Sequence, residues 1–136
     1  MSCPLCDTCP RCHPERKVYK TTVPGEPASW QVGTRRRPAK ELRPWKELVG
    51  WSWRQFMCAT KFTGPVRVDA RFLTRSKRKD VDNMAKALID GLKNVAFEDD
   101  NRVYAVVLWK EPAPEGQAGA EVWVQPWTGH VWKEHL

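Results

Sequence analysis

The sequence lacks any long hydrophobic run, and this absence restricts where the protein can work. A membrane-spanning helix needs roughly 20 consecutive apolar residues, and no stretch of this chain approaches that length. The first residues also lack the apolar core of a secretory signal peptide, so we expect a cytoplasmic protein. In a reducing compartment, its five cysteines are not expected to form a disulfide framework.

Acidic residues are in the minority, and they are concentrated in one segment. The 136 residues include 23 lysines and arginines against 16 aspartates and glutamates, a net charge of +7. Residues 80–100 hold six of these acids and only two lysines, so this segment carries −4 and the rest of the chain +11. Clustered carboxylates repel one another, and a hard cation such as Mg²⁺ relieves the repulsion. A basic surface around them would attract a polyanion, which indicates metal-dependent chemistry on nucleic-acid phosphate.

The length predicts one domain with short tails. Residues 1–16 are rich in cysteine and proline and have no hydrophobic periodicity, so we interpret them as an N-terminal tail. We expect the domain to span residues 17–128 and a C-terminal tail to span residues 129–136.

Hydrophobic periodicity predicts an α+β domain: a small mixed sheet of about four strands with two main helices packed on it. The predicted order is β-α-β-α-β-β, with strands over 18–23, 66–72, 102–109 and 120–127, a helix starting near Pro44, and a helix from Asp80 or Asp82 to about Asn94. The run 102–109 is almost continuously apolar, which is typical of a central strand.

The second predicted helix carries polar residues along one face. Asp82, Lys86 and Asp90 recur every four residues, so they lie on the same side of a helix. Asp80 stands just before the helix, where its carboxylate can turn toward Asp82. The lysine could then reach a phosphate oxygen or the charge that develops in a transition state.

A second acidic group, Glu98 to Asp100, lies in the connection from this helix to the next strand. A helix and the strand after it are often adjacent, so we expect the two acidic groups to converge. A cation would then be held by Asp80, Asp82 and Asp100.

Ordinary structural roles remain open for the same residues. Asp82 and Lys86 could form a simple ion pair one turn apart, and Asp80 or Asp82 could be only a helix N-cap. Asp99, Asp100 and Asn101 could be only a turn.

The combined pattern resembles the RusA family of Holliday-junction resolvases. The matching residues are Arg78, Lys79, Asp80, Val81, Asp82, Asn83, Lys86, Asp90, Leu92, Asp99, Asp100 and Val103. The resemblance covers roughly residues 17–127 in element order and is specific from Arg78 to Val103.

This resemblance implies a Mg²⁺-dependent (or Mn²⁺-dependent) endodeoxyribonuclease. Such an enzyme acts as a homodimer in DNA recombination and repair, and it resolves four-way junctions by paired nicks that leave 5′-phosphate and 3′-hydroxyl ends. Members are commonly encoded by bacteria or their phages. The implied catalytic residues are Asp80, Asp82, Lys86 and Asp100; Asp99 and Asp90 are further candidates for the metal, and Asn83 for support of the site.

Two basic runs are candidates for binding DNA. The run beside the acidic cluster comprises Arg75, Lys77, Arg78 and Lys79, and the earlier run comprises Arg35, Arg36 and Arg37. Because the later run adjoins the acidic cluster, it is favoured to guide phosphates, whereas the earlier run could be merely solvated.

The N-terminal cysteines form two Cys-Pro-x-Cys pairs, Cys3 with Cys6 and Cys9 with Cys12. Each pair is typical of zinc ligands, but only two residues separate the pairs, against about 12–20 in usual zinc sites. Zinc binding and a thiol-rich leader without metal both stay open. An alternative function is therefore a non-catalytic DNA-binding protein, such as a phage regulator, with a zinc-binding tail.

Six of the eight tryptophans fall into two predicted groups. Trp45, Trp53, Trp109 and Trp123 are expected in the core, and Trp30 and Trp51 are the better candidates for stacking on DNA bases.

Overall fold

The computed structural model describes residues 18–30, 40–56 and 61–127. Its elements are β1 (Tyr19–Pro24), α1 (Leu42–Phe56), β2 (Val66–Thr74), α2 (Val81–Leu92), a 3₁₀ turn (Asp100–Arg102), β3 (Val103–Pro112) and β4 (Gly119–Pro126). This order confirms the predicted α+β architecture. None of the helices in the described ranges is long and apolar enough to cross a membrane. The two predicted tails lie outside these ranges.

The four strands form one mixed sheet in the order β1-β4-β2-β3. β4 pairs antiparallel with both β1 and β2, while β2 and β3 are parallel, with Val66 opposite Val103 and Thr74 opposite Pro112. Because α2 connects the two parallel strands, its first turn lies at their carboxyl ends and its last turn at their amino ends. We call these the carboxyl end and the amino end of the β2–α2–β3 unit.

The core lies between the sheet and the two helices. Alternate residues of β2 and β4 are buried, together with the apolar stripes of the helices: Val66, Val68, Ala70, Phe72, Ala120, Val122, Val124, Trp45, Val49, Trp53, Met84, Leu88 and Leu92. The helices approach each other closely at Gly91, where an added Cβ would lie 2.8 Å from the Cβ of Val49. Gly91 therefore allows α2 to pack against α1 and the sheet at once.

The prediction of a central strand over 102–109 is wrong, because β3 is an edge strand. Tyr104 and Val106 are 61% and 45% exposed on it. β4 takes a central place instead, since it pairs on both sides with antiparallel neighbours. Continuous apolar character is normally a sign of burial on both faces, so β3 carries more apolar surface than its position in one chain requires.

The sheet face opposite the helices, which we call the open face, carries Trp109 and Trp123. Their rings stack with centroids 6.0 Å apart and planes 14° apart, and Trp109 is 38% exposed. The expectation of core positions is confirmed for Trp45 and Trp53, but it is wrong for Trp109 and for Trp123, which is half-buried on the open face.

Candidate active site

Asp80 lies at the carboxyl end of the β2–α2–β3 unit as the N-cap of α2. Its backbone is extended, with φ −78° and ψ 139°, as an N-cap requires. Its side chain, however, makes no capping hydrogen bond within the described helix. The carboxylate is exposed, so the simple capping role does not account for this aspartate.

Asp82 follows in the first turn of α2 and is also exposed. One of its oxygens accepts a hydrogen bond from the Asn83 backbone N–H at 3.0 Å. Among the described ion pairs there is none between Asp82 and Lys86, so the simple pair one turn apart is not formed. The positive end of the helix dipole favours both carboxylates at this position.

Lys86 instead lies over the ring of Trp30, with its Nζ 4.4 Å from the ring centroid. The backbone N–H of Trp30 donates to the carbonyl oxygen of Asn83 at 3.0 Å, which holds this segment against α2. Trp30 was one of the two candidates for stacking on DNA bases, and in the structure its ring faces the lysine. Trp51 is 60% exposed on α1 and stays a candidate for base stacking.

The predicted phosphate-binding run, residues 75–79, forms the loop between β2 and α2, which we call the basic loop. Arg75, Lys77 and Arg78 are exposed. Lys79 differs, because its Nζ lies 2.8 Å from a carboxylate oxygen of Glu26 and donates to the Pro27 carbonyl oxygen at 2.6 Å. Lys79 therefore ties the loop to the chain that follows β1 and is less available to DNA than its neighbours.

Glu26 organises the loop, although sequence reasoning did not single it out. It accepts hydrogen bonds from the Arg75 N–H at 2.7 Å, the Thr74 hydroxyl at 2.6 Å and Lys79. Partial burial raises the pKa of Glu26, but these three donors together outweigh it and hold the pKa below its ordinary value.

Lys110, near the end of β3, was also missed. Its Nζ donates to the carbonyl oxygens of Lys77 at 3.1 Å and Lys79 at 2.8 Å. No sequence signal distinguished either residue, since each contacts a loop more than 30 positions away along the chain.

The second acidic group lies at the amino end of the β2–α2–β3 unit. A carboxylate oxygen of Asp99 accepts from the Asp100 N–H at 2.8 Å and so caps the 3₁₀ turn, and Lys93 lies 3.5 Å away. Hydrogen bonds from Asp100 and the charge of Lys93 hold the pKa of Asp99 below its ordinary value. Asp99 therefore has the ordinary role of a cap.

The two acidic groups do not converge within one chain. Asp99 contacts Lys93 at the last turn of α2, while Asp80 caps the first, and the 12 residues of this helix rise about 18 Å. The described residues contain no group of three carboxylate, histidine or cysteine side chains able to hold a metal ion. Asp90, the further candidate, lies 3.9 Å from Lys46 of α1.

The geometry thus joins Asp80, Asp82 and Lys86 to an exposed basic loop at the carboxyl ends of parallel strands, the usual place for ligand sites in such sheets. A family model described as Endodeoxyribonuclease RusA matches residues 19–125, most of the chain. The chain belongs to this endodeoxyribonuclease family. Membership of the RusA family implies endonuclease activity on branched DNA of the Holliday-junction type. A comparison with curated proteins gives no match.

Several predicted residues lie outside the described ranges, and their roles stay predictions. They are Cys3, Cys6, Cys9 and Cys12 of the expected zinc site and Arg35, Arg36 and Arg37 of the earlier basic run.

Proposed function

We propose that this RusA-family chain is a cytoplasmic, Mg²⁺-dependent homodimeric enzyme that resolves four-way DNA junctions by paired nicks. The observation that carries the proposal is the pair of exposed carboxylates, Asp80 and Asp82, that have no cation partner among the described ion pairs and lie beside the exposed basic loop. Asp99, by contrast, lies 3.5 Å from Lys93.

The donor chemistry at Asp80 and Asp82 fits Mg²⁺, which takes oxygen ligands and is usually held by one or two carboxylates together with waters and substrate phosphates. When bound, the ion supplies Lewis-acid polarisation of a phosphoryl oxygen. Arg75, Lys77 and Arg78 hold the phosphates on either side of the bond to be cut.

Lys86 acts on the same phosphate from the next turn of α2. Its ammonium group is placed to offset the negative charge that develops on the phosphate during cleavage. Trp30 keeps this ammonium group on the ring face and away from Asp82, so the lysine and the carboxylate do not neutralise each other.

A second copy completes the site in this proposal. Asp100 cannot join Asp80 and Asp82 within one chain, but a two-fold axis would bring Asp100 of a second copy to the carboxyl end of the first. Two such sites, related by the axis, would also account for paired nicks in opposing strands.

The open face supports such pairing because the charged side chains described on it are paired with side chains of opposite charge, so a second copy could cover them without leaving a charge unpaired. Lys20, Arg67 and Arg71 are matched there by Asp69, Glu111 and Glu121. In a chain of net charge +7, this balanced surface is where a second copy meets least repulsion. The stacked Trp109 and Trp123 would provide an aromatic centre of the kind that dominates protein interfaces.

A synthetic four-way junction, incubated with Mg²⁺ or with EDTA, tests the proposal. We expect cleavage by the wild-type protein only with Mg²⁺, and none by the double variant Asp80→Asn, Asp82→Asn. The control is Glu47→Gln, which removes an exposed carboxylate on α1 that pairs with Arg43; it should cut like wild type. Junction binding without cleavage in Mg²⁺ would instead favour the non-catalytic DNA-binding alternative.

A further inference from the structure

A pocket of about 290 Å³ lies at the carboxyl end of the β2–α2–β3 unit, between the basic loop and the end of β3. Residues 74–77 form one wall and residues 110–113 the other. None of these residues is an expected metal ligand. The pocket therefore adjoins the proposed metal site, and it shares Arg75 and Lys77 with the loop proposed to hold the phosphates.

Hydrogen bonds hold both walls of the pocket in place. Lys110 joins them through its bonds to the carbonyl oxygens of Lys77 and Lys79. At the base, the Ala113 N–H donates to the Thr74 carbonyl oxygen at 3.0 Å, and Glu26 holds Thr74 and Arg75 from behind. A ligand would meet a preformed shape and would not have to order the loop.

The walls combine positive charge with apolar surface. Arg75, Lys77 and Lys110 contribute cations, and Pro112 and Ala113 contribute apolar surface. The Glu111 carboxylate, the one acid among the described residues of the lining, is engaged by Arg71 and by the Trp109 indole N–H. These hydrogen bonds, that of Arg71 first, hold the pKa of Glu111 below its ordinary value.

The size of the pocket restricts the ligand. Pockets for small molecules usually measure about 300–1,000 Å³, so 290 Å³ lies at the small end of this range and suits a single planar group. A ligand with one planar, largely apolar ring and an attached anion matches both the size and the lining. A single nucleotide of a DNA strand has this composition.

We propose that this pocket receives one unpaired nucleotide of a branched DNA substrate, with the base against Pro112 and Ala113 and its phosphate near Arg75 and Lys77. The inference rests on the proposed function and adds a source of selectivity to it. Removing a nucleotide from a paired, stacked helix costs free energy, and the cost is smallest where the base is already unpaired. The pocket would therefore favour branch points over intact duplex.

Junctions with 2-aminopurine at each crossover nucleotide in turn test this assignment. The fluorescence of this base rises when it leaves the stack, and none of the described residues that line the pocket is an aromatic one that could quench it. With wild-type protein in EDTA, we expect the fluorescence to rise at one crossover position per strand and not in linear duplex.

The substitution Ala113→Leu should fill the pocket while its backbone N–H still bonds to Thr74. We expect it to abolish the fluorescence rise and to lower the preference for junction over duplex by about tenfold, because the cost of unstacking the base is no longer offset by the pocket. The matched control is Ala118→Leu, the same change in the β3–β4 connection but outside the pocket lining, and it should behave like wild type. An unchanged rise in Ala113→Leu would overturn the proposal.

A second measurement does not depend on whether the Ala113→Leu variant folds. Titration of wild-type protein with deoxycytidine 5′-monophosphate should shift the amide NMR signal of Ala113 and leave that of Ala118 in place. Equal shifts with inorganic phosphate alone would show that the pocket binds only anions and would overturn the nucleotide assignment.

The test also separates this inference from the proposed function. A fluorescence rise without cleavage in Mg²⁺ would contradict the proposed enzyme and support the pocket. Junction cleavage by the wild type with no rise at any crossover position would overturn the pocket and leave the enzyme standing.

Discussion

The two ends of the β2–α2–β3 unit carry the same kind of side chain in opposite situations. At the carboxyl end, Asp80 takes the N-cap position of α2 without using its carboxylate. At the amino end, Asp99 takes the N-cap position of the 3₁₀ turn and does use it, by accepting from the Asp100 N–H.

This difference shows that a capping position does not determine what a carboxylate does. Asp99 has a cation, Lys93, at 3.5 Å, while the lysine nearest in sequence to Asp82 on α2, Lys86, is held by Trp30. The carboxyl end therefore keeps its acids available to an external cation, and the amino end engages one of its acids within the chain.

The largest effect should come from removing one available carboxylate. Asp82→Asn should reduce junction cleavage in Mg²⁺ to background, because it removes a ligand charge at nearly constant volume. Asp99→Asn should keep most of the rate, since asparagine can still accept the capping hydrogen bond. Single-turnover cleavage assays, with folding checked by circular dichroism, compare the two. An equal loss in both variants would mean that the ends do not differ in function.

Lys86→Ala should reduce the cleavage rate by about 100-fold or more, as expected when a group that stabilises transition-state charge is removed. Junction affinity in EDTA should stay near wild type, because the lysine is directed to the reacting phosphate. Cleavage rates measured across a Mg²⁺ titration show whether Lys86 stabilises the transition state or assists metal binding. If saturating Mg²⁺ restores the rate, Lys86 would instead assist metal binding.

Mixed dimers test whether the two ends meet between copies. Asp82→Asn and Asp100→Asn should each be inactive, but an equal mixture, after exchange of subunits, should recover about a quarter of the intact sites. Each mixed dimer would then have one complete site and nick one strand only. No recovery, despite subunit exchange shown by differently tagged chains, would contradict the shared site.

A smaller effect is expected on binding without metal. Asp80→Asn should bind junctions in EDTA more tightly than wild type, by about 1 kcal/mol or less, because it removes a screened repulsion with phosphate. Arg78→Ala should bind more weakly and lower the slope of log K against log salt by about one unit. Junction titrations in EDTA at several salt concentrations measure the affinity and its salt dependence for each variant. If Asp80→Asn also binds more weakly than wild type, Asp80 supports the basic loop and does not repel phosphate.

The smallest effect concerns the stability of the basic loop. The folded-state pKa of Glu26 lies below its ordinary value of 4.5, so its stabilisation is present above about pH 4.5 and is lost as the pH falls through the folded value. Glu26→Gln should therefore lower the free energy of unfolding at pH 7, by less than about 1 kcal/mol for so accessible a group. In urea unfolding, the difference should shrink as the pH falls from 7 toward 3, and a difference that does not change with pH would exclude the charge as its cause.

Local patterns predicted much of the fold. The alternation in β2 follows the repeat of side chains along a strand, and the apolar stripe of α2 follows the repeat along a helix. The buried residues Val68, Phe72, Met84 and Leu88 lie at the positions that these two repeats predict. The N-cap at Asp80 was one of two predicted options for the same reason, since a cap is recognised from the residues beside it.

The place of β3 in the sheet was not predictable in this way. Its apolar run indicates burial but does not identify what covers it, and the pairing of β4 with β2 leaves β3 at the edge. Tyr104 and Val106 therefore stay exposed, because no described element of the chain covers this edge.

The sequence by itself determined which residues could carry the chemistry: the Asp80–Asp82 pair, Lys86 one turn later, and the basic run before them. Only the tertiary structure decided their partners. Glu26 bonds to Lys79, 53 positions further along the chain. Trp30, in the segment that follows β1, packs on Lys86. Because β2 and β3 are parallel, Asp100 lies beside the last turn of α2 and not beside the first. The physical reason is that spacing along a helix follows from local geometry, whereas contacts between distant segments depend on which strands pair and in which direction.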